Sequence, residues 1–161
     1  ENDLRDFNGS LRVSSPFRSK EDREALREGV VDGTIDLVVS DHRPEDLEHH
    51  DVEFMLSPEG VASLPSAFAL ALTGLVEHTN DIERACDALV RTLTQGPEKV
   101  LTKSSACIKQ GERINATWFH PEQPHVPNHA TRGVNLPPLP SDLTGVVLGV
   151  FRDDRAWVKT I

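Results

Sequence analysis

Three polar side chains in a row, Ser40-Asp41-His42, close a short apolar run. A carboxylate beside an imidazole at such a place can bind a metal or move a proton. On the residues alone a plainer reading also stands, in which Asp41 caps the following turn and His42 is satisfied by hydrogen bonds. Downstream, His49-His50 sits among Glu45, Asp46, Glu48 and Asp51. Adjacent histidines in an extended loop point apart, and the flanking acids predict a solvated surface rather than a metal patch. His120, His125 and His129 are five and four residues apart with no cysteine between them, a poor ligand pattern. The 2 cysteines, Cys86 and Cys107, are too few for a disulfide framework and read as reduced, half-buried thiols.

The element that must position Asp41 is the run over residues 35–39, Ile-Asp-Leu-Val-Val. It is short, rich in β-branched residues and directly follows a helix, which predicts a parallel strand covered on both faces. Asp41 then lies just past the carboxyl end of that strand, facing a cleft, where α/β folds place their chemistry. The preceding helix opens at Ser19, a good N-cap, with Glu21 and Asp22 in its first turn, where carboxylates suit the helix dipole. Leu26 and Val30 share a face of it, and Asp32-Gly33 stops it.

Residues 42–58 read as a long charged loop, functional or mobile. Helices are predicted over 64–77 and 82–94, the second capped by Asp81, with Ile82, Ala85, Ala88 or Leu89, and Leu93 on one face. Gly96-Pro97 breaks it and opens a short turn through Leu101. Beyond residue 102 the character changes. Ala106-Cys107-Ile108 and residues 115–119 predict a hairpin-type pair. Residues 121–140 hold six prolines and predict no regular structure. Residues 146–151 and 156–158 predict two strands around the acidic turn Asp153-Asp154. The chain therefore divides into 1–101, a strand with helices, and 102–161, β structure.

Composition excludes several classes. Among 161 residues, 17 are Lys or Arg and 26 are Asp or Glu, a formal charge of −9. That argues against nucleic acid, which needs a basic face, and against an anionic membrane. The longest apolar run is six residues (67–72), far below the ~20 that a membrane span requires. No basic-then-apolar leader opens the chain, which predicts a cytoplasmic protein. The chain begins Glu1-Asn2-Asp3-Leu4 and its only methionine is Met55, which reads as a piece of a longer protein.

Several stretches belong together: Val13-Ser14-Ser15-Pro16-Phe17-Arg18, Asp32-Gly33-Thr34-Ile35-Asp36, Ser40-Asp41-His42-Arg43-Pro44, Pro58-Glu59-Gly60 and Gly111-Glu112-Arg113-Ile114-Asn115-Ala116. In this order they resemble the carboxy-terminal part of a dihydroorotase of the amidohydrolase superfamily. The resemblance implies an α/β fold, the carboxy-terminal portion of a (β/α)8 barrel followed by strands of a small β-sandwich. A complete barrel takes about 250 residues, so the remainder of the barrel, the amino-terminal part, is an implied partner and this chain alone is expected to be inactive.

The resemblance implies roles as well. Asp41 matches the aspartate that touches the metal and shuttles a proton as water attacks the cyclic amide. Ser14 falls where the family usually has a substrate-binding asparagine, and Glu45 where it usually has a histidine. Gly60 matches a glycine whose backbone lies against the substrate. Zinc is the implied cofactor, with most of its ligands outside this chain. The implied activity is the reversible interconversion of carbamoyl-aspartate and dihydroorotate in pyrimidine biosynthesis, on a small-molecule substrate. The alternative is a non-catalytic scaffold that holds a partner such as aspartate transcarbamoylase. A homo-oligomer is a further expected assembly.

Overall fold

The computed structural model describes residues 7–101, 108–126, 135–137 and 139–159. A single 3-10 turn, Gly9–Leu11, opens the described chain, with the Asn8 side chain accepting from the Ser10 amide. Helix α1 spans Lys20–Asp32. Its Ser19 hydroxyl accepts from the Asp22 amide at 3.1 Å, and Gly33 ends it at φ 90°, as expected of both residues. Helix α2 is one turn, Leu47–His50, inside the stretch expected to be loop. Helix α3 runs over Leu64–Thr79 and α4 over Ile82–Leu93. Asp81 Oδ1 caps α4 by accepting from the amides of Glu83 and Arg84 at 3.0 and 3.1 Å. Helix α5, Gln95–Val100, carries Pro97 in its first half, where a missing N–H costs little.

Helices α1, α3 and α4 share the main core: Val30 and Val31, Leu72 and Leu75, and Ala85, Ala88 and Leu89. Two residues expected to share a face with core positions fall outside it. Leu26 is 56 % exposed and Leu93 42 %. Thr92 is buried in place of Leu93, its hydroxyl donating to the Ala88 carbonyl at 3.1 Å and so needing no outside partner.

The strand expected over 35–39 is not formed. A strand exists through its ladder, and the described residues offer this segment no neighbouring strand. Its backbone bonds run to helices instead. The Ile35 amide donates to the Gly29 carbonyl at 2.8 Å and the Val38 amide to the Thr92 carbonyl at 3.3 Å. The one parallel bridge nearby joins His42 to Val61, just past the segment.

The carboxy-terminal region is a three-stranded antiparallel sheet in the order β1-β2-β3, with β1 Asn115–Pro124, β2 Thr144–Arg152 and β3 Arg155–Val158. The expected strands around Asp153-Asp154 are β2 and β3. The expected hairpin partner of 115–119 is not used: Ile108 is outside any strand, Ala106 and Cys107 lie outside the described residues, and β1 pairs with β2 instead. Pro121 and Pro124 also lie inside β1, against the expectation of irregular chain from 121. Among the described residues β1 is an edge strand, so an imino nitrogen there removes no ladder bond on its open side, and the register shifts between His120 and Pro124. The sheet leans on α3 through Phe119, whose ring meets Phe68 edge-on at 4.9 Å, and through the Thr144 amide, which donates to Thr73 Oγ1 at 3.0 Å.

A charged clasp closes the outside of α1 and α3. His78 contacts Glu24 at 3.0 Å and Glu28 at 2.8 Å, while Arg27 bridges Glu24 and Glu77 at 3.1 and 3.0 Å. Hydrogen bonds from His78 to Glu28 first, then to Glu24, raise the His78 pKa, and the bond it donates to Glu24 lowers that of Glu24. The His78 contribution is complete below the ordinary histidine range and is lost as pH rises through the raised value. The Glu24 contribution is present above the ordinary glutamate range and is lost as pH falls through the lowered value. Thermal stability should therefore decline as pH rises from about 6.5, and a His78→Gln variant should flatten that limb of the Tm–pH profile. Gly96 presses on the carbonyl of Asp36, and a Cβ there would overlap it. Gly96→Ala should cost about 1–3 kcal/mol in a urea titration, the range for overpacking a filled site.

Candidate functional site

Asp41 stands at φ 44°, in the left-handed region that Asp tolerates better than most residues. Its neighbours are pinned on both sides. The Ser63 hydroxyl donates to the Ser40 carbonyl at 2.6 Å, and His42 Nδ1 accepts from the Leu64 amide at 3.2 Å, capping α3. His42 thus takes the plainer role. The Asp41 carboxylate meets two donors: Ser14 Oγ at 2.9 Å on Oδ2 and Arg43 Nε at 3.0 Å on Oδ1. Ser14 and Asp41, 27 residues apart, are brought together on the surface, both with exposed side chains. Each carboxylate oxygen keeps a further lone pair, so the group can still accept a proton or another ligand.

Gly60 lies beside this pair. Its amide donates to the Arg12 carbonyl at 2.9 Å, and a Cβ would overlap the Cβ of Arg43. Arg12 ties the same turn together from the other side, donating to the carbonyls of Met55 and Ser57 and pairing with Glu59 at 3.2 Å. Glu45 is turned away from Asp41. Its Oε2 accepts from His49 Nδ1 at 3.0 Å, one helical turn on, and that bond raises the pKa of His49. A negative charge at residue 45 is therefore met by His49, not by the Asp41 pocket.

The two adjacent histidines do point apart, but only His49 is solvated. His50 is 7 % exposed, a correction to the expected surface pair. Its Nδ1 lies 2.7 Å from Ser57 Oγ and 3.1 Å from the Gly9 carbonyl, and its Nε2 lies 3.3 Å from Asn135 Nδ2. Asn135 and Ser57 were missed by the sequence reading. No local pattern marks Asn135, whose side-chain partners lie 75 to 92 residues away, and Ser57 joins the network through His50, seven residues back, and Gly9, 48 residues back.

Among the described residues no group of three or more His, Cys, Asp or Glu side chains could hold a metal ion. Asp41 offers one carboxylate with an arginine beside it, so these residues by themselves do not make a zinc site, which takes three or four ligands. His120 and His125 are not gathered together: His120 Nδ1 accepts from the Glu122 amide, and the His125 amide donates to Leu143. His129 and Cys107 lie outside the described residues. Cys86 is half-buried, as expected, and burial pushes its thiol pKa up. No described helix is long and apolar enough to cross a membrane. Two glycines separate space from conformation. Gly111, at φ 87°, has open space around it, whereas Gly60, at φ 144°, is crowded by Arg43. Gly111→Ala should cost about 1 kcal/mol of left-handed strain. Gly60→Ala should cost clearly more, read from paired urea midpoints.

No family model matches the chain. It is similar to curated proteins named dihydroorotase. That of Syntrophus aciditrophicus (strain SB) is 36 % identical over 145 residues, covering 88 % of this chain and 33 % of the relative. That of Clostridioides difficile (strain 630) is 32 % identical over 123 residues, 76 % of this chain and 28 % of the relative. That of Caldicellulosiruptor saccharolyticus is 35 % identical over 116 residues, 71 % and 26 %. By sequence, the chain is a relative of the dihydroorotases, matched along most of its own length and spanning about a third of theirs.

Proposed function

We propose that this chain is the carboxy-terminal part of a dihydroorotase, which interconverts carbamoyl-aspartate and dihydroorotate and works only with the rest of its barrel. The observation that carries the reading is the Ser14–Asp41 hydrogen bond beside Gly60, three of the four residues that the resemblance assigns to the site. Exposed apolar side chains support an incomplete barrel: Val39 is 72 % exposed at the end of the segment that lacks a strand neighbour, and Leu26 56 % on α1. A parallel strand over 35–39 would form against that missing neighbour, and residues 102–161 would belong to the sandwich.

In this reading Asp41 takes and returns the proton of the attacking water at its carboxylate. Ser14 orients that carboxylate and reaches the substrate less far than an asparagine would. Arg43 holds the other oxygen and must swing aside, or share it, when the proton moves. The Gly60 backbone would lie against the ring by contact, since its amide donates to Arg12 and its carbonyl accepts from Asn135. Zinc would be held by residues outside this chain, with Asp41 as the one carboxylate contributed here. The same double engagement of Asp41 also favours a second reading, a non-catalytic scaffold for a partner such as aspartate transcarbamoylase.

The test is a steady-state assay of the complete polypeptide with dihydroorotate. Asp41→Asn should lose about 10²–10⁴-fold in kcat, the usual contribution of a positioned acid–base group. The unmodified protein should fall below the ordinary ~10⁴ M⁻¹s⁻¹ in kcat/KM. A Ser14→Asn, Glu45→His double variant should raise it about tenfold to a hundredfold, the equivalent of one restored hydrogen bond to a charged group. No turnover in either protein, with retention of aspartate transcarbamoylase in a pull-down, would support the scaffold instead.

A further inference from the structure

We infer that Asn135 is a positioning residue for the substrate side of the site: its carboxamide holds the backbone of Arg43, Glu45 and Gly60 in one register. The catalytic half of this inference rests on the dihydroorotase reading; the structural half does not. Asn135 is 1 % exposed. Its Oδ1 accepts from the Glu45 amide at 2.9 Å. Its Nδ2 faces the Gly60 carbonyl at 3.0 Å, His50 Nε2 at 3.3 Å and the Arg43 carbonyl at 3.4 Å. Its own carbonyl accepts from the Ala62 amide at 3.0 Å.

An amide has two N–H donors and one carbonyl acceptor. One proton serves Gly60, and the other is shared between His50 and Arg43. With Asn135 as donor, His50 Nε2 is the acceptor and the imidazole carries its proton on Nδ1. That proton goes to Ser57 Oγ or to the Gly9 carbonyl. The Ser57 hydroxyl in turn donates to the Gly9 carbonyl at 2.9 Å. Every polar atom named in this buried chain has a partner, and only an amide of this length serves both sides. Aspartate lacks the donors. Alanine leaves the Glu45 amide and the Gly60 carbonyl buried and unpaired.

The targets make the role more than packing. All three backbone groups belong to residues around Asp41: Arg43 binds its carboxylate, Glu45 is directed to His49 from here, and Gly60 backs onto Arg43. A loop released at Asn135 would carry Arg43 away from Asp41 and move the Gly60 edge. Thr92 is the comparison: equally buried, its hydroxyl bonds only within α4.

The experiment combines amide hydrogen exchange and kinetics on the complete polypeptide, with Asn135→Ala, Asn135→Asp and Thr92→Val. In the unmodified protein the Glu45 amide should exchange at least tenfold more slowly than that of its neighbour Asp46. Asn135→Ala, which removes the acceptor, should erase that difference, and both Asn135 variants should raise KM about tenfold, with kcat changed less than threefold, while Thr92→Val changes neither. Equal exchange at Glu45 and Asp46 in the unmodified protein would overturn the inference without any variant having to fold. So would wild-type exchange in Asn135→Ala, an unchanged KM in both Asn135 variants, or the same changes in Thr92→Val. Absence of turnover in the unmodified protein would sink the dihydroorotase reading, and the exchange comparison would then decide the Asn135 role alone.

Discussion

One buried carboxamide sets the conditions under which the rest of the site exists. The loop between residue 42 and residue 60 has almost no ladder and one turn of helix, so its own turns satisfy only some of its backbone polar groups. Asn135 reaches in from the carboxy-terminal region and supplies both donors and an acceptor. Through His50 and Ser57 it also joins the opening turn at Gly9 to that loop. Three stretches distant in sequence thus share one largely buried polar network, in which loss of a member leaves its partner unpaired.

Around that network the helices do the ordinary work. Helices α1, α3 and α4 bury a compact aliphatic set, and α3 also carries the sheet through Phe68 and Thr73. The segment over 35–39 rides on this layer. It is held by bonds to Gly29 and Thr92, by the Lys99–Asp36 pair at 3.0 Å, and by the close approach of Gly96. Asp41 therefore stands at the end of a segment fixed from the helix side alone.

The helices were legible because their signals are local. Ser19, Asp81 and Gly33 act within three residues of themselves, and the caps fall where propensity puts them. The strand over 35–39 was misread because its apolar pattern describes a neighbour that the described residues do not contain. The prolines of β1 misled for the opposite reason: their cost depends on which strand is an edge, a fact of topology and not of composition. At the site, Ser14, Asp41 and Gly60 could be singled out by resemblance. The turning of Glu45 toward His49 follows from the short helix α2, which the charge of the loop concealed. The His50–Asn135 contact spans 85 residues, and no spacing rule reaches that far.

The backbone of Asp41 carries a consequence for descent. At φ 44° a branched or bulky residue would be strained, whereas asparagine and glycine would not. In the genetic code both are one nucleotide from either aspartate codon. A lineage released from selection for chemistry could therefore lose this carboxylate in a single step with little disturbance of the fold. Residue 41 is thus the place where an enzyme could pass into a silent scaffold while every cap, clasp and core contact around it stayed in place.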